Sequence, residues 1–365
     1  MGAPLLLGAL RADRTGVRAP AAVAIRYDSA VDPVTHALLG AAVAQTLFPA
    51  KEGRRALLLG AAAGMLADAD VLTRLSGDPA LPWEAHRHLT HSLAFAPVGG
   101  LVIAAPLMMW SWWRQRWKLA ALAATLAYLT HGLLDACTSY GTHLLLPFAT
   151  DRTSWDIIAI IDPLFSAILL AGVAWSAWRA RAAPAVAALA LCVLYLGLGA
   201  RQHAQAMDEV VRAAQARGDT IVRARAMPTP ANLVVWRGLY VAGGRIHADG
   251  IRVPLMGQPH LRQGVSVPLF QPREIEEAGP GGARGARVAE VVKRFERFSD
   301  GYLARDPEQP DVLGDMRYSL EVAAFSPLWG IRLNAGPTGD PVSWVDLAGD
   351  RRASLRRMWS DLRRE

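Results

Sequence analysis

Six apolar runs in the first 200 residues constrain the fold of this chain more strongly than any other feature of its sequence. Four of them approach the roughly 20 residues that an α-helix needs to cross a bilayer, although Asp162 and Pro163 interrupt one. The other two are shorter and form a close pair. The long runs are residues 93–110, 119–134, 157–178 and 183–200, and the short runs are residues 37–50 and 56–67. The sequence therefore predicts an all-α polytopic membrane helical bundle with about four to six transmembrane helices.

Histidines and aspartates lie at the ends of these runs. If the runs form antiparallel helices, all of these side chains reach the same end of the bundle. Imidazoles and carboxylates in an apolar bundle are costly unless they bind something, and a divalent metal satisfies several such ligands at once. The pattern therefore predicts metal or proton chemistry at that end. The residues are His36, Asp68, Asp70, His86, His88, His91, His131 and Asp135.

Basic residues lie between the apolar runs, at the opposite ends of the predicted helices. They form three short clusters, at residues 51–55, 114–118 and 179–181. The positive-inside rule places such loops in the cytoplasm, so we expect the histidines, the aspartates and the C-terminal region to face outward. The net charge of +7 is not gathered into one basic arm, and no nucleic-acid partner is predicted.

The two ends of the chain differ in composition from the apolar part. Residues 1–31, rich in Arg and Ala, are predicted to be a disordered extension or a wrongly assigned start. Residues 32–200 are predicted to form a membrane-embedded domain, and residues 201–365 a smaller soluble α+β domain. In this last part, strands are predicted at residues 220–225, 233–241, 245–253, 316–323 and 329–333, helices at residues 210–217, 288–303 and 353–364, and a loop at residues 271–287. Gly243 and Gly244 predict a hairpin turn between the second and third of these strands.

Each His or Asp motif also has a structural explanation when it is considered alone. His131 and Asp135 are four residues apart and share one face of a helix, where they can bind one ion or simply hydrogen-bond to neighbouring helices. Asp68 and Asp70 can serve as an ordinary cap or turn. Only the coincidence of these motifs at one level of the bundle favours metal or proton chemistry.

Four motifs in a fixed order carry a resemblance to a known family. They are Pro-Val-Thr-His at residues 33–36, Leu-Ala-Asp-Ala-Asp at residues 66–70, His-Arg-His-Leu-Thr-His-Ser at residues 86–92 and Leu-Thr-His-Gly-Leu-Leu-Asp at residues 129–135. Together with residues 138–141 and Pro147, they resemble the YdjM-like family of bacterial inner-membrane proteins, described as membrane-bound metal-dependent hydrolases. The resemblance covers about residues 32–200. It implies a multi-pass inner-membrane protein, and the positive-inside rule then puts the site and the C-terminal domain on the periplasmic side.

The resemblance also implies roles for individual residues around a divalent metal, expected to be zinc with manganese as the alternative. Asp70 or His86 is expected to orient or deprotonate a bound water, and Arg87 suits a phosphate or another anion because its fork binds oxygens bidentately. His88, where the family pattern has a glycine, and His143, which has no counterpart, are not included. The expected metal ligands are His36, Asp68, His91, His131 and Asp135.

The expected function is therefore hydrolysis by a metal-activated water. Because the site lies at the level of the membrane interface, the expected partners are the lipid bilayer and a substrate that is an ester or phosphoester of a lipid or another amphiphile. The order of the ligands is also similar to that of the zinc-dependent phospholipases C, which together with Arg87 favours a phosphoester.

Two other functions remain open at the level of the sequence. A proton- or ion-coupled transporter can use the same His/Asp cluster, but it predicts polar residues through the full depth of the bilayer, whereas this chain concentrates them at one end. A non-catalytic membrane anchor with a structural metal site is the second, although structural zinc sites are commonly rich in cysteine. The sequence does not indicate the substrate, the number of metal ions, the oligomeric state or the role of the C-terminal domain.

Overall fold

The computed structural model of the protein describes residues 32–76, 86–278, 282–319, 321–334, 340–349 and 356. The predicted N-terminal extension, residues 1–31, lies outside the described residues. So does the predicted C-terminal helix at residues 353–364, apart from Arg356.

Helices form most of the described chain up to residue 217. Four short 3₁₀ segments connect or extend them, at Ala50–Glu52, Leu66–Ser76, Leu89–His91 and Leu93–Phe95. The helices are α1 (Pro33–Leu47), α2 (Gly53–Met65), α3 (Ala96–Leu107), α4 (Ser111–Arg114), α5 (Trp117–Cys137), α6 (Pro163–Arg179), α7 (Ala183–Arg217), α8 (Arg273–Ala278) and α9 (Gly282–Phe298).

The prediction of a bundle with four to six transmembrane helices is wrong. Among the described residues, only α5 with 21 residues and α7 with 35 residues are long and apolar enough to cross a membrane. Helices α1, α2, α3 and α6 have 15, 13, 12 and 17 residues. At 1.5 Å per residue they measure about 18–26 Å, short of the roughly 30 Å of a bilayer core. Helices α3 and α6 are shorter than the apolar runs that contain them, whereas the runs of α1 and α2 are themselves short.

Helices α1 and α6 have the same start signal. Both begin at an aspartate followed by a proline, a favoured combination of N-cap and first helical residue. Asp32 caps α1 by accepting a hydrogen bond from the backbone N–H of Thr35, and Asp162 caps α6 in the same way. Helix α6 therefore begins at Pro163 and is shorter than its run, because the apolar residues 157–161 precede it instead of extending it.

Helices α1 and α2 pack with their backbones in direct contact. A Cβ on Gly60 would overlap the carbonyl oxygen of Gly40, and a Cβ on Gly64 would overlap the carbonyl oxygen of His36. Small residues allow such an approach between helices in a membrane. The contact holds His36 against the end of α2, from which the aspartate segment continues.

Helix α7 joins the helical part to the sheets that follow. In its most apolar 18-residue window, only 22% of the residues are buried inside the protein, so the N-terminal half presents apolar surface outward. The C-terminal half is covered instead, because Ala206, Val210 and Ala214 pack in one core with Trp236 and Tyr240. The predicted boundary between residues 200 and 201 falls inside this helix, and the proposed division into domains stays a prediction.

Two antiparallel four-stranded sheets follow α7. Strands that are neighbours in the sequence pair within each sheet, in the orders β1-β2-β3-β4 and β5-β6-β7-β8. The C-terminal region is therefore α+β, as predicted. The strands are β1 (Arg223–Pro228), β2 (Val235–Ala242), β3 (Arg245–Arg252), β4 (His260–Pro268), β5 (Leu303–Arg305), β6 (Val312–Asp315), β7 (Trp329–Leu333) and β8 (Val342–Asp346).

Several predicted elements of this region are confirmed and others are wrong. The hairpin of β2 and β3 turns at Gly243 and Gly244, as predicted, and β7 has its predicted bounds. The described part of residues 316–323 is not a strand but a turn with an isolated bridge between Ser319 and Pro327. The loop predicted at residues 271–287 contains α8 and the start of α9. Strands β5, β6 and β8 have only three to five residues, too few for a pattern of period two to identify them.

The close contact between α1 and α2 can be tested with Gly60→Ala, using Gly197→Ala as the control. An alanine at position 60 must push the helices apart, and overpacking of this kind costs about 1–3 kcal/mol. Gly197 lies in α7 with open space where a Cβ would be, so an alanine there is neutral or slightly stabilising. We expect Gly60→Ala, but not Gly197→Ala, to lower the thermal unfolding midpoint. Unfolding is monitored by the tryptophan fluorescence of the detergent-purified protein. Equal midpoints for the two variants would contradict the contact.

Candidate metal centre

Four segments bring the eight predicted site residues to one end of the helical part. These segments are the first turn of α1, the 3₁₀ segment after α2, the segment that precedes α3 and the last two turns of α5. In this order they carry His36; Asp68 and Asp70; His86, Arg87 and His91; and His131 and Asp135.

Four side-chain atoms of this group form a ring in which nitrogen and oxygen alternate. His91 Nε2 lies 3.4 Å from both Asp68 Oδ1 and Asp135 Oδ2. His131 Nε2 lies 3.3 Å from the same oxygen of Asp68 and 3.4 Å from that of Asp135. The centre of such a ring is about 2.0–2.4 Å from each atom, depending on its pucker, a range that includes the usual Zn–N and Zn–O distances of about 2.0–2.2 Å. The ring can therefore hold a metal ion.

All four ring atoms are buried, and none of them has a hydrogen-bond partner among the described residues. The side chains of His91 and His131 have no exposed surface, and that of Asp135 is 1% exposed. A buried polar atom without a partner costs about 1–3 kcal/mol, and more when it is charged. A cation at the centre of the ring would satisfy all four atoms at once, so the residues fit a bound metal.

Asp70 holds His91 from the other side of its imidazole ring. The carboxylate oxygen Oδ2 lies 3.3 Å from His91 Nδ1 and accepts hydrogen bonds from Thr90 Oγ1 and the backbone N–H of Arg87. The other oxygen lies 2.8 Å from His86 Nδ1. A carboxylate on the second nitrogen of a metal-binding histidine fixes the ring and leaves Nε2 with its lone pair. Asp70 and His86 therefore lie behind His91, not at the centre of the ring.

Backbone carbonyls position the two imidazoles. His131 Nδ1 donates to the carbonyl oxygen of Gly64 at 2.6 Å, which leaves Nε2 as the acceptor nitrogen. A Cβ on Gly132 would overlap the carbonyl oxygen of His91, so the segment before α3 lies directly on α5 at this glycine. These two close approaches bring His91 and His131 to neighbouring places in the ring.

His36 lies outside the ring, but with His131 and Asp135 it forms a second group of side chains that could hold a metal ion. Its imidazole stacks on that of His131, with ring centroids 3.7 Å apart and an interplanar angle of 15°. Its Nε2 lies 3.3 Å from Asp135 Oδ1, the oxygen that does not belong to the ring. Its Nδ1 is buried without a hydrogen-bond partner. The five expected ligands are thus divided into a set of four and His36.

Arg87 faces the same oxygen of Asp135, with Nη2 at 3.2 Å. Its Nη1 donates to Thr138 Oγ1 at 3.0 Å, and its guanidinium lies 4.6 Å from the centroid of the Tyr140 ring. The backbone of Arg87 has a φ of 62°, a conformation that is uncommon for residues other than glycine and that often marks functional sites. Two of the guanidinium nitrogens are therefore engaged by the protein, while Nε is buried without a partner.

The environment of the ring changes the protonation of His91 and Asp68. Burial lowers the pKa of His91 to about 4, so its imidazole is neutral at pH 7 and ready to bind a metal. Burial alone would raise the pKa of the Asp68 carboxyl, but interactions with His131 and His91 outweigh it and hold that pKa well below its usual range. Asp68 is therefore an anionic ligand at neutral pH.

A pocket opens beside the ring, on the side of Arg87 and Asp135. It is bounded by the starts of α1 and α6, the end of α5 and residues 158–160. The lining residues are the polar Asp32, Thr35, His36, Arg87, Asp135, Thr138 and Asp162 and the apolar Leu134, Ile158, Ala159, Ile160 and Phe165.

Some residues of the site were expected and others were not. His88 and His143 pair with each other, with ring centroids 5.0 Å apart, and neither belongs to the groups that can hold a metal among the described residues. Thr90 and the carbonyl of Gly64 were not predicted to contact the site. Thr90 adjoins His91 in the histidine motif, which is a usable signal, whereas a backbone carbonyl leaves none in the sequence.

Comparison with known proteins gives one match. A model of the YdjM inner membrane protein family matches residues 31–206, which include every residue of the ring and of the pocket. No curated protein and no solved structure matches the chain.

The ring can be tested by metal content. We expect the purified protein, loaded with zinc and then freed of excess, to retain the metal, whereas two variants lose most of it. His131→Ala removes one of the four ring atoms, and Asp68→Asn replaces an anionic ligand with a neutral amide. His143→Ala is the matched control and should retain the wild-type amount. The measurement is mass spectrometry of the metal per mole of protein. Equal metal in all four proteins would exclude the ring as the binding site.

Proposed function

Residues 31–206 belong to the YdjM inner membrane protein family, and from this membership together with the ring we propose that the protein is a membrane-bound metal-dependent hydrolase. Its proposed substrate is an ester of a lipid or another amphiphile, and preferably a phosphoester. The observation that carries the proposal is the ring of four buried ligand atoms without hydrogen-bond partners.

The proposed metal is zinc, held by Asp68, His91, His131 and Asp135. Two imidazoles and two carboxylates suit zinc, and the set contains no cysteine, unlike many closed structural zinc sites. A bound zinc ion supplies Lewis acidity and lowers the pKa of a coordinated water toward neutrality. The neutral state of His91 and the anionic state of Asp68 favour binding at neutral pH.

The residues around the ring are proposed to orient its ligands and the substrate. Asp70, with His86 behind it, orients His91 through Nδ1, as the carbonyl of Gly64 does for His131. This contact favours a positioning role for Asp70 and His86 over direct removal of a proton from water. Arg87 neutralises the outer oxygen of Asp135 and lines the pocket, where a substrate anion would approach.

The proposed orientation puts the site on the periplasmic side of the inner membrane. Helix directions bring the basic clusters at residues 51–55, 114–118 and 179–181 to the end opposite the ring. At that end Arg55 and Arg116 lie over the Trp112 ring, at 4.2 and 4.5 Å from its centroid. Basic residues with interfacial tryptophans are typical of the cytoplasmic boundary of a membrane protein.

Polar groups nearer the basic end favour an enzyme over a transporter. The buried side chain of Gln45 donates to the carbonyl oxygens of Gly53 and Val173, and Ser176 donates to the carbonyl oxygen of Arg181. These side chains hydrogen-bond to backbone carbonyl oxygens, and neither of them is titratable. A proton relay through the helices requires titratable side chains at successive depths.

The proposed activity can be tested with the zinc-loaded protein in detergent, on a chromogenic phosphodiester and a chromogenic carboxylic ester. We expect faster hydrolysis of the phosphodiester. Asp68→Asn should lower kcat/KM about 100-fold or more, because it removes a ligand, and Asp70→Asn about 10–100-fold, because it releases His91. His143→Ala is the control and should keep the wild-type rate. Stoichiometric zinc without hydrolysis of either ester would contradict the proposal.

A further inference from the structure

The pocket beside the ring contains a buried donor that the protein leaves without an acceptor. Arg87 lines the pocket, and its side chain is 3% exposed. Arg87 Nε is buried and has no hydrogen-bond partner among the described residues. An unsatisfied donor of this kind is costly unless a ligand supplies the acceptor. A phosphoryl group has such an oxygen, and Arg is well suited to it.

The same pocket also contains two carboxylates, those of Asp32 and Asp162. Asp162 Oδ2 accepts a hydrogen bond from Tyr195 at 2.7 Å, and Ser166 donates to Asp32 Oδ2. All of these partners are neutral donors, and neither carboxylate forms an ion pair within the described part of the chain. A carboxylate has about four acceptor positions, so each retains both its charge and the capacity to accept another hydrogen bond.

The charges of the lining select the kind of ligand. Asp32, Asp135 and Asp162 contribute three carboxylates, and Arg87 is the only cationic side chain in the lining. A ligand that carries only negative charge would meet Asp32 and Asp162 at an energetic cost. A ligand with an anionic group beside Arg87 and a cationic group beside the two carboxylates matches both parts of the lining.

The pocket lies in the outer half of the bilayer core along α7. Asp162 contacts Tyr195, 12 residues after Ala183, or about 18 Å along the helix at 1.5 Å per residue. A Cβ on Gly199 would overlap the carbonyl oxygen of Ile157, so the chain next to the pocket crosses α7 at the end of its apolar half. With a bilayer core of roughly 30 Å, the pocket lies between the middle of the membrane and the boundary nearer Gly199.

Apolar surface surrounds the pocket. Val34, Ile161 and Leu164 are 60%, 44% and 57% exposed, and each is a chain neighbour of a lining residue. Within the pocket, Leu134 and Phe165 provide an apolar wall. The lining therefore suits a polar headgroup, and the surrounding surface suits the hydrocarbon attached to it.

We propose that this pocket binds the headgroup of a zwitterionic phospholipid with a primary ammonium, of the phosphoethanolamine type. Its phosphoryl oxygen accepts from Arg87 Nε, and its ammonium binds between Asp32 and Asp162. The inference rests on the proposed function in that it names the substrate class of the same site. It concerns binding, however, and can be tested without turnover.

The experiment uses the Asp68→Asn background, in which the ring lacks one ligand but the pocket keeps all of its lining residues. Binding of dihexanoyl phosphatidylethanolamine, dihexanoyl phosphatidylglycerol and free phosphoethanolamine is measured by titration calorimetry in detergent. We expect the ethanolamine lipid to bind about tenfold more tightly than the glycerol lipid, because only its ammonium pairs with the two carboxylates. We also expect it to bind more tightly than free phosphoethanolamine, since the lipid adds apolar contacts.

The variants Asp32→Asn and Asp162→Asn remove the charge but keep a good N-cap for α1 and α6. Each should weaken binding of the ethanolamine lipid about tenfold and change that of the glycerol lipid much less. The matched control is Asp306→Asn, since Asp306 accepts a backbone hydrogen bond at an exposed turn away from the pocket. It should leave all affinities unchanged.

The outcomes separate the headgroup inference from the proposed hydrolase. Equal affinities for the two lipids in the Asp68→Asn background overturn the headgroup inference, even if the zinc-loaded wild type hydrolyses esters. A preference that survives both Asp→Asn variants overturns it as well, because the ammonium then binds elsewhere. A preference abolished by these variants supports it, even if hydrolysis is never observed, in which case only the hydrolase proposal fails. Tighter binding of free phosphoethanolamine than of the lipid would overturn the lipid as the source of the headgroup.

Discussion

The burial of two carboxylates and two imidazoles without hydrogen-bond partners is the constraint on which the rest of the structure depends. Asp68, His91, His131 and Asp135 come from three separate segments, and each ring atom is inaccessible to solvent. The surroundings hold these side chains in place without satisfying the ring atoms: Asp70 and the carbonyl of Gly64 engage the opposite nitrogens of the imidazoles. An arrangement that fixes these side chains but leaves the ring atoms without hydrogen-bond partners could hold a metal ion.

The meeting of these side chains could be predicted from the sequence because each lies at the end of an apolar run, where helix direction alone determines which residues meet. Their division into a ring of four and His36 could not, because it depends on which nitrogen of each imidazole the backbone engages. The presence of two carboxylates in one pocket could not be predicted from the sequence either. Asp32 and Asp162 each precede a proline and are explained locally as helix caps, so the sequence gives no sign that they face one pocket.

The predicted number of membrane-spanning helices was wrong for a related reason. Hydropathy detects apolar residues, and residues 157–178 are apolar for the length of a membrane span. A helix also needs a start signal, however. In this run Asp162 and Pro163 supply that signal only at the sixth residue. Helices α1 and α2 are stable although short because Gly40 and Gly60 let their backbones touch. Such packing depends on the partner helix, which no single segment encodes. In the C-terminal region the glycine hairpin was predictable, since Gly243 and Gly244 specify it locally.

The C-terminal sheets contribute to the site, although nothing in the sequence indicated a role for them. Arg225 on β1 donates to both carboxylate oxygens of Asp156 and to the carbonyl oxygen of Ser139, which ties the segment after α5 to the first sheet. That segment carries Tyr140, whose ring contacts the guanidinium of Arg87. The same ring packs against Phe298 of α9 in the core beside the second sheet. Both sheets therefore hold the residues that position Arg87, the cation beside the ring. The C-terminal region is for this reason a structural support of the candidate metal centre.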